Sequence, residues 1–303
     1  MRLTGLHHIT MITGDAQRNV AFYADLLGLR FVKKTVNFDA PEAYHLYFGD
    51  EQGTPGSILT WFEFPGAARG RAGIGQIHTL QLAVASEAAL DFWAARLGTE
   101  RDGDRIRFQD PDGLQLELVV ESLGNTPLTA AHPEIPAEHA IVGLEGARAS
   151  SAFAGVEENF LTDTLGFTYD SAGYVLDGSE RRFRWAYDAA PALRGLQGAG
   201  SVHHIAWGTQ DDEQLEWQQR IRAAGGYVTD VRDRDYFQSI YFQEPRGVLF
   251  EIATLSPGFA VDEDPEHLGE ELRLPKQHEH LRARLERTLQ PVVNPRTARR
   301  VTA

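Results

Sequence analysis

A two-histidine phrase occurs twice in this chain, at positions far apart. The sequence GLHHIT occupies residues 5–10, and SVHHIA occupies residues 201–206. The second copy is followed by Glu251, a single carboxylate within an apolar run. Two imidazoles and one carboxylate on rigid strands can hold a divalent metal and leave coordination positions open. Such a donor set suits Fe(II) and oxygen chemistry. We therefore predict a metal site formed by His8, His204 and Glu251.

The carboxylate is the most informative of these three residues. Glu251 lies between apolar residues in the run VLFEI, where a charge without a partner costs several kcal/mol, about 3–5 when its partner is removed. A bound metal would supply the missing positive charge. The alternative is an ordinary strand glutamate that faces solvent or pairs with an arginine.

The residues next to the ligands are candidates for supporting roles. Side chains alternate along a strand, so Thr10 should share a face with His8, while His7 and His203 should point away from their ligand neighbours. His7 either packs between repeats or supports the site. His203 offers a second imidazole that could pass protons at neutral pH.

Two further residues precede Glu251 in the sequence. Tyr241 lies on the preceding predicted strand, and its hydroxyl could hydrogen-bond a substrate oxygen; otherwise it is a core tyrosine. Arg234 could orient an anionic substrate, or it could belong to a solvated loop.

These residues are carried by a repeating unit of strand, helix and three further strands, each about 60–70 residues long. The first strands begin near Leu6, Ile77, Ala140 and His203, and the helices that follow end near Gly28, Gly98, Gly166 and Gly225. We predict an α+β fold of four βαβββ modules, paired into two domains. Each domain is expected to form a curved mixed β-sheet cup with flanking helices.

The domain boundaries follow from composition. Residues 127–136 are rich in proline and small residues, which is typical of a linker. We predict an N-terminal domain at 1–126, a C-terminal domain at 137–257 and an extension at 258–303. The extension contains an acidic segment at 262–264, and a later helix with an apolar stripe formed by Leu281, Leu285 and Leu289.

Composition excludes several classes of protein. The chain has no cysteine, so disulfides and thiolate metal ligands are excluded. Its formal charge of -14 argues against nucleic acid or an anionic membrane as partner. The sequence contains no apolar run long enough to cross a bilayer and no apolar secretory segment at its start. We expect a soluble cytoplasmic protein, and a homo-oligomer is compatible with the sequence.

The sequence resembles the vicinal oxygen chelate superfamily, which includes glyoxalases, bleomycin-resistance proteins and extradiol dioxygenases. It is most similar to the para-hydroquinone ring-cleaving dioxygenases, of which dichlorohydroquinone dioxygenase is the best-known type. The resemblance rests on both histidine pairs and on the segments 44–48, 53–56 and 258–264. It covers nearly the whole chain. It implies Fe(II) ligands at His8, His204 and Glu251, and a set of supporting residues around them: His7, Thr10, His203, Arg234 and Tyr241.

The resemblance also implies an activity. The expected enzyme is a ring-cleaving, extradiol-type dioxygenase that uses Fe(II) to insert O2 into a hydroquinone-like or catechol-like aromatic diol. Mn(II) can occupy the same ligands. A glyoxalase-type isomerase or lyase and a metal-free binding protein that sequesters small molecules remain alternatives. The absence of a second glutamate ligand argues against the isomerase, and the three retained ligands argue against the binding protein.

A second metal site is not expected. Glu117 has the same spacing from a proline as Glu251, but Thr79 stands where a histidine ligand would be required. Trp61 is expected at the position of module one that matches Glu251. Aromatic residues are expected to wall the cavity: Tyr47, Trp61, Phe242 and Phe250. The remaining histidines are interpreted as structural or solvated: His45, His132, His139, His267, His278 and His280.

Overall fold

Four βαβββ modules are present, as predicted. The structure is a computed structural model that describes residues 1–302, so Ala303, the last residue of the C-terminal extension, lies outside it. Module one contains β1 (Gly5–Thr13), β2 (Arg30–Val36), β3 (Tyr44–Gly49) and β4 (Ile58–Glu63). Module two contains β5 (Gln76–Val84), β6 (Arg101–Asp102), β7 (Arg105–Gln109) and β8 (Gln115–Val120). Module three contains β9 (Ile141–Ser151), β10 (Phe167–Asp170), β11 (Gly173–Asp177) and β12 (Arg182–Ala189). Module four contains β13 (Val202–Thr209), β14 (Arg232–Asp233), β15 (Gln238–Gln243) and β16 (Leu249–Thr254).

A helical segment follows the first strand of each module. These segments are α1 (Ala16–Val20) continued by a π-helical turn at Ala21–Leu26, α2 (Glu87–Leu97), a π-helical turn at Phe160–Thr164, and α3 (Gln214–Ala223). Helix α2 shows how the sequence sets its ends. The Ser86 side chain accepts a hydrogen bond from the Ala89 amide at the start, and Gly98 at the end has a φ of 63°, in the left-handed region that glycine tolerates. Among residues 1–302, no helix combines the length and hydrophobicity that a membrane crossing needs.

The strands form two eight-stranded mixed sheets. The first has the order β14-β15-β16-β13-β1-β4-β3-β2 and joins modules four and one. The second has the order β10-β11-β12-β9-β5-β8-β7-β6 and joins modules three and two. The first and last modules therefore share one sheet, and the two middle modules share the other. The division of the sequence into domains at residues 127–136 stays a prediction.

One large apolar core connects the modules. All five tryptophans of the chain are at most 1% exposed and belong to it: Trp61, Trp93, Trp185, Trp207 and Trp217. Trp207 in β13 contacts Trp185 of the second sheet, with ring centroids 6.2 Å apart. This packing gives the strands that carry the candidate ligands a rigid support.

The C-terminal extension packs on module one. It contains α4 (Arg282–Thr288) and α5 (Pro295–Thr302), and 3-10 turns at Phe259–Val261, Pro265–His267 and Lys276–Leu281. A further 3-10 turn, at Ala137–His139, precedes β9 in module three. Leu285 of α4 is fully buried against Val36 and Leu274. The Lys33 ammonium is also buried and binds the carboxylates of Asp262 and Glu263, with a distance of 2.6 Å to Asp262. The acidic segment of the extension thus neutralises a buried cation of β2.

Candidate metal centre

The three predicted ligands lie on adjacent strands of the first sheet. His8 is on β1, His204 on β13 and Glu251 on β16, and the sheet order places β13 between the other two. Each residue offers one ligand atom, and these atoms lie within 4.8 Å of one another. The two Nε2 atoms are 3.4 Å apart, and Oε2 of Glu251 lies 2.9 Å from Nε2 of His204 and 3.5 Å from Nε2 of His8. The structure therefore brings together residues that are far apart in the sequence.

The carboxylate of Glu251 lacks one of the partners that its burial requires. Its residue is fully buried, and Oε1 accepts a hydrogen bond from the Ser239 hydroxyl. Oε2 has no aligned hydrogen bond from any described residue, although it lies within hydrogen-bond distance of the His204 ring. Burial alone would raise the pKa of Glu251, but the two neighbouring imidazoles outweigh it and hold that pKa well below its ordinary value. A charged, buried oxygen without an aligned donor fits a bound cation.

Each ligand imidazole is oriented by the histidine that precedes it. Nδ1 of His8 lies 2.9 Å from Nδ1 of His7, and Nδ1 of His204 lies 2.8 Å from Nδ1 of His203. With Nδ1 engaged in this hydrogen bond, Nε2 of each ligand imidazole is left to point at the centre. A partner that fixes the second ring nitrogen is a regular part of protein metal sites.

The expectation that His7 and His203 point away from their neighbours is wrong, because both strands are irregular there. The pairing of β1 with β13 shifts between Leu6 and His8, so His7 has no opposite residue. A matching shift occurs opposite Thr10 and Met11, where His203 is skipped. A β-bulge of this kind interrupts the alternation of side chains.

The two supporting histidines have different surroundings. His7 is buried and hydrogen-bonds the backbone of Thr254; burial and the adjacent His8 lower its pKa to about 3. His203 is exposed on the cavity side, yet the surrounding protein atoms and His204 lower its pKa to about 4. Both imidazoles are therefore neutral at pH 7.

A cavity of about 210 Å³ opens in front of the three ligands. An apolar cavity of about 150 Å³ is large enough for benzene, so this one can hold a single substituted ring. Several aromatic side chains line it: Phe38, Tyr47, Phe62, Phe64 and Phe237. Of the predicted walls, only Tyr47 lines the cavity. Trp61, Phe242 and Phe250 are buried in the apolar core instead.

The structure places Arg234 and Tyr241 together at this cavity, as two of its lining residues. Nε of Arg234 donates to the Tyr241 hydroxyl at 3.1 Å, and a terminal nitrogen lies 3.5 Å from Asp39. The Tyr241 ring packs edge-on against His204, with centroids 5.7 Å apart. Burial and the charge of Glu251 raise the pKa of Tyr241, so its hydroxyl keeps its proton.

Thr10 is fully buried behind the cavity and accepts a hydrogen bond from Thr60 at 2.9 Å. Thr60 is also the residue of module one that matches Glu251. It pairs with Thr10, two positions after His8, as Glu251 pairs with Ala206, two positions after His204. The expected match with Trp61 is wrong by one residue, which turns the side chain to the opposite face of the sheet.

His45 is the main residue that the sequence analysis did not connect with the site. It is buried and lines the cavity, whereas no such role was expected for it. The available signal was the alternation of Tyr44, His45, Leu46 and Tyr47, which puts His45 and Tyr47 on one face of β3. The other histidines interpreted as structural or solvated do not line the cavity: His132, His139, His267, His278 and His280.

The second sheet contains a matching position that the protein neutralises by itself. Glu117 pairs with Gln81, two positions after Thr79, and so corresponds to Glu251. Its carboxylate accepts a hydrogen bond from Gln81 at 2.8 Å and binds Arg105 at 3.2 Å and Arg107 at 2.9 Å. Within the described residues, His8, His204 and Glu251 are the one group found that could hold a metal ion.

Comparisons with known proteins identify the family of the chain. The family sequence model that describes the glyoxalase/bleomycin resistance protein/dioxygenase superfamily matches residues 5–118 and 158–252 of this chain. The chain is 44% identical over 305 residues to the Bacillus subtilis protein named "Putative ring-cleaving dioxygenase MhqO", covering 95% of this chain and 96% of that protein. It is 32% identical over 322 residues to the chlorohydroquinone/hydroquinone 1,2-dioxygenase of Sphingobium indicum, covering 96% and 98% of the two chains. A crystal structure titled "putative dioxygenase" from Bacillus subtilis superposes with a TM-score of 0.88 at 41% identity, covering 97% of this chain and 98% of that chain.

Proposed function

The chain belongs to the glyoxalase/bleomycin resistance protein/dioxygenase superfamily, and we propose that it is an Fe(II)-dependent ring-cleaving dioxygenase that acts on a hydroquinone-like aromatic diol. The relatives named as ring-cleaving dioxygenases, and the one named as a hydroquinone dioxygenase, support an oxygenase with an aromatic substrate. The proposed reaction inserts both atoms of O2 and opens the ring, as an extradiol-type enzyme does. A catechol-like diol is the alternative substrate.

The observation that carries this proposal is the buried Glu251 oxygen without an aligned donor, which lies beside the Nε2 atoms of His8 and His204. Its two neighbours, His8 and His204, complete a set of two nitrogens and one oxygen on one side of the cavity. This donor set is typical of non-haem Fe(II) oxygenases, and Mn(II) fits the same atoms. A bound ferrous ion supplies the redox chemistry that couples an electron-rich ring to dioxygen.

The protein's own residues position the ring and exclude water. Phe62 and Phe237 line the cavity near the ligand strands, and their apolar faces suit a flat ring. Holding the ring in a fixed orientation accounts for much of what a protein contributes to such a reaction. The small volume of the cavity leaves little space for bulk water beside a bound ring.

We assign two hydrogen-bond donors to the substrate oxygen that would carry negative charge, Tyr241 and His203. Tyr241 keeps its proton and faces the cavity, with Arg234 donating to its oxygen. His204 uses Nε2 as a ligand atom and donates from Nδ1 to His203, which places the proton of the neutral His203 imidazole on its Nε2. Both groups can therefore donate to a substrate oxyanion.

The rival activities of the superfamily are less compatible with these residues. An isomerase of the glyoxalase type is expected to carry a second glutamate ligand, and Thr60 occupies the matching position of module one. A binding protein that sequesters a drug without a metal has no use for a buried carboxylate between two imidazoles.

Oxygen consumption tests the proposal directly. The protein would be loaded with Fe(II) under nitrogen and then mixed with oxygenated buffer and one of a panel of hydroquinones and catechols. We expect one O2 to be consumed for each diol, with loss of the aromatic absorbance. No oxygen uptake with any diol in protein that holds one metal ion per chain would refute the dioxygenase activity.

A further inference from the structure

Four side chains form a continuous hydrogen-bonded chain along one wall of the cavity. The Tyr47 hydroxyl lies 2.8 Å from Nδ1 of His45, and Nε2 of His45 lies 2.9 Å from Oγ1 of Thr60. Thr60 donates to Oγ1 of Thr10 at 2.9 Å. The hydrogen-bonded chain therefore begins at Tyr47, which lines the cavity, and ends at Thr10 on the ligand strand β1, two residues after His8.

We assign the directions of the hydrogen bonds in this chain from the one that Thr60 donates to Thr10. Thr60 has one hydroxyl proton, and it is given to Thr10. The bond between Thr60 and His45 must therefore be donated by Nε2 of His45. A neutral imidazole carries one N–H, so Nδ1 of His45 is an acceptor and the Tyr47 hydroxyl donates to it.

Burial supports the neutral state of His45 that this argument needs. Burial, assisted by the nearby His8 and His204, lowers the pKa of His45 well below its ordinary value. Burial likewise raises the pKa of Tyr47, so its hydroxyl keeps its proton. Among the described residues, no second hydrogen bond reaches the Tyr47 hydroxyl. Tyr47 thus faces the cavity with an oxygen whose proton is already committed to His45.

We propose that Tyr47 is a specificity-determining residue that accepts a hydrogen bond from the ring hydroxyl lying away from the metal centre. His45 is the positioning residue that holds the Tyr47 proton out of the cavity. This inference rests on the proposed function, because it concerns the second hydroxyl of an aromatic diol. A diol can donate such a bond, whereas a ring with an ether or halogen at that position cannot.

The place of Tyr47 in the sheet agrees with this role. Strand β3 is separated from β1 by β4 alone, and Tyr47 and Thr10 both pair with Thr60, so their backbones are about two strand spacings apart, roughly 10 Å, with His8 two residues farther along β1. That span accommodates a ring between a metal-facing oxygen and an opposite hydroxyl. The Phe259 ring packs against Tyr47, with centroids 5.0 Å apart, and limits its movement.

The test compares two phenols that differ in one substituent, a para hydroxyl against a para fluorine. Hydroquinone and 4-fluorophenol are titrated into Fe(II)-loaded protein under nitrogen, where no turnover occurs, and heat of binding is measured. Both can approach the metal centre through one hydroxyl, but only hydroquinone has a second one to donate. We expect the wild type to prefer hydroquinone by about tenfold, as one neutral hydrogen bond provides.

Two variants and one control decide the outcome. Tyr47→Phe should reduce the preference to near unity without changing the metal content. His45→Phe should do the same with the Tyr47 hydroxyl still present, a result that a mere packing role of Tyr47 does not predict. The matched control is Tyr44→Phe on the same strand, whose hydroxyl donates to the Gln290 carbonyl outside the cavity, and it should keep the wild-type preference.

The possible failures are distinguishable. If metal-loaded wild type binds neither probe, the proposed function and this inference both fall. If the wild type binds and oxidises hydroquinone but Tyr47→Phe keeps the full preference, this inference alone is overturned. If Tyr47→Phe loses the preference and His45→Phe keeps it, the assigned direction of the hydrogen-bonded chain is overturned.

Discussion

Glu251 and Glu117 occupy corresponding positions in the two sheets, and they are neutralised in different ways. Each carboxylate lies on the last strand of its module and pairs with a residue of the first strand. Glu251 pairs with Ala206, two positions after His204, and Glu117 pairs with Gln81, two positions after Thr79. Glu117 binds the guanidinium groups of Arg105 and Arg107, whereas Glu251 faces two imidazoles and has an oxygen without an aligned donor. One fold position thus serves as a closed ion-pair cluster in one sheet and as a candidate metal centre in the other.

This contrast predicts the effect of removing each charge. Glu251→Gln should abolish stoichiometric Fe(II) binding, weakening it by more than about 100-fold, which is the upper end of the loss caused by changes outside the ligand set. Glu117→Gln is the matched control and should bind one ion per chain. Metal content after anaerobic loading and gel filtration measures both. Retention of a tightly held ion by the Glu251 variant would remove this carboxylate from the ligand set.

The paired histidines predict a loss of affinity without a loss of ligands. His7→Ala and His203→Ala should each weaken metal binding by about 10- to 100-fold, because His8 or His204 loses the partner that orients its ring. His78→Ala, at the bulge of β5 that matches the one at His203, should leave the affinity unchanged. Competition with a chromophoric chelator gives the three dissociation constants. Equal affinities in all of them would contradict an orienting role.

Two buried glutamates of the second sheet predict opposite dependences of stability on pH. Burial outweighs the hydrogen bonds from Ser122 and raises the pKa of Glu145. The stabilising effect of its neutral form is present below the unfolded-state pKa of about 4.5 and is lost as pH rises through the raised value. Glu145→Gln should therefore become increasingly favourable, relative to wild type, as pH rises from 4.5 to 8. Urea unfolding over that range supplies the free energies of unfolding.

Glu117 provides the opposite sign in the same experiment. Burial favours a higher pKa, but hydrogen bonds from Gln81 and Arg107 and the charges of Arg105 and Arg107 lower it. Its charged form stabilises the fold above pH 4.5, and this contribution is lost as pH falls through the lowered value. Glu117→Gln should cost about 1–3 kcal/mol at pH 7 and less at pH 4. A cost that grows toward acid would contradict this assignment.

The hydroxyl of Tyr241 predicts a defect in turnover that leaves the metal in place. Tyr241→Phe removes a donor that faces the cavity, so oxygen uptake with hydroquinone should fall by about 10²- to 10³-fold in kcat. Metal content should stay at one ion per chain, since Tyr241 is not a ligand. Tyr44→Phe serves again as the control, with kcat near wild type. A Tyr241 variant that turns over at the wild-type rate would show that this hydroxyl takes no part in the reaction.

The three candidate ligands could be picked out from the sequence because each stands in a recognisable local pattern. A repeated pair of histidines and a carboxylate between apolar neighbours indicate a metal site without any knowledge of the fold. The modules were accessible for a similar reason, since the helix stops at Gly98 and its counterparts recur at regular intervals. The meeting of modules one and four followed from the matching places of His8 and His204.

The surroundings of the ligands were less accessible. A sequence read with strict strand alternation cannot show a bulge, so the contact of His7 with His8 was missed. A single-residue offset in matching the modules put Trp61 in the place of Thr60. His45 hydrogen-bonds Thr60 on a neighbouring strand, and a hydrogen bond between strands leaves no mark on the spacing of residues along one of them.

The strands of the second sheet lie, in the sequence, between the two modules that form the first sheet, and this order affects how the protein folds during synthesis. The second sheet, formed by modules two and three, needs no residue beyond 189, whereas the first sheet joins module one to module four. A ribosome must add 196 residues after His8 before its partner His204 exists. One edge of β1 therefore stays unpaired until β13 has been made, and the candidate metal site cannot form before Glu251 has been synthesised.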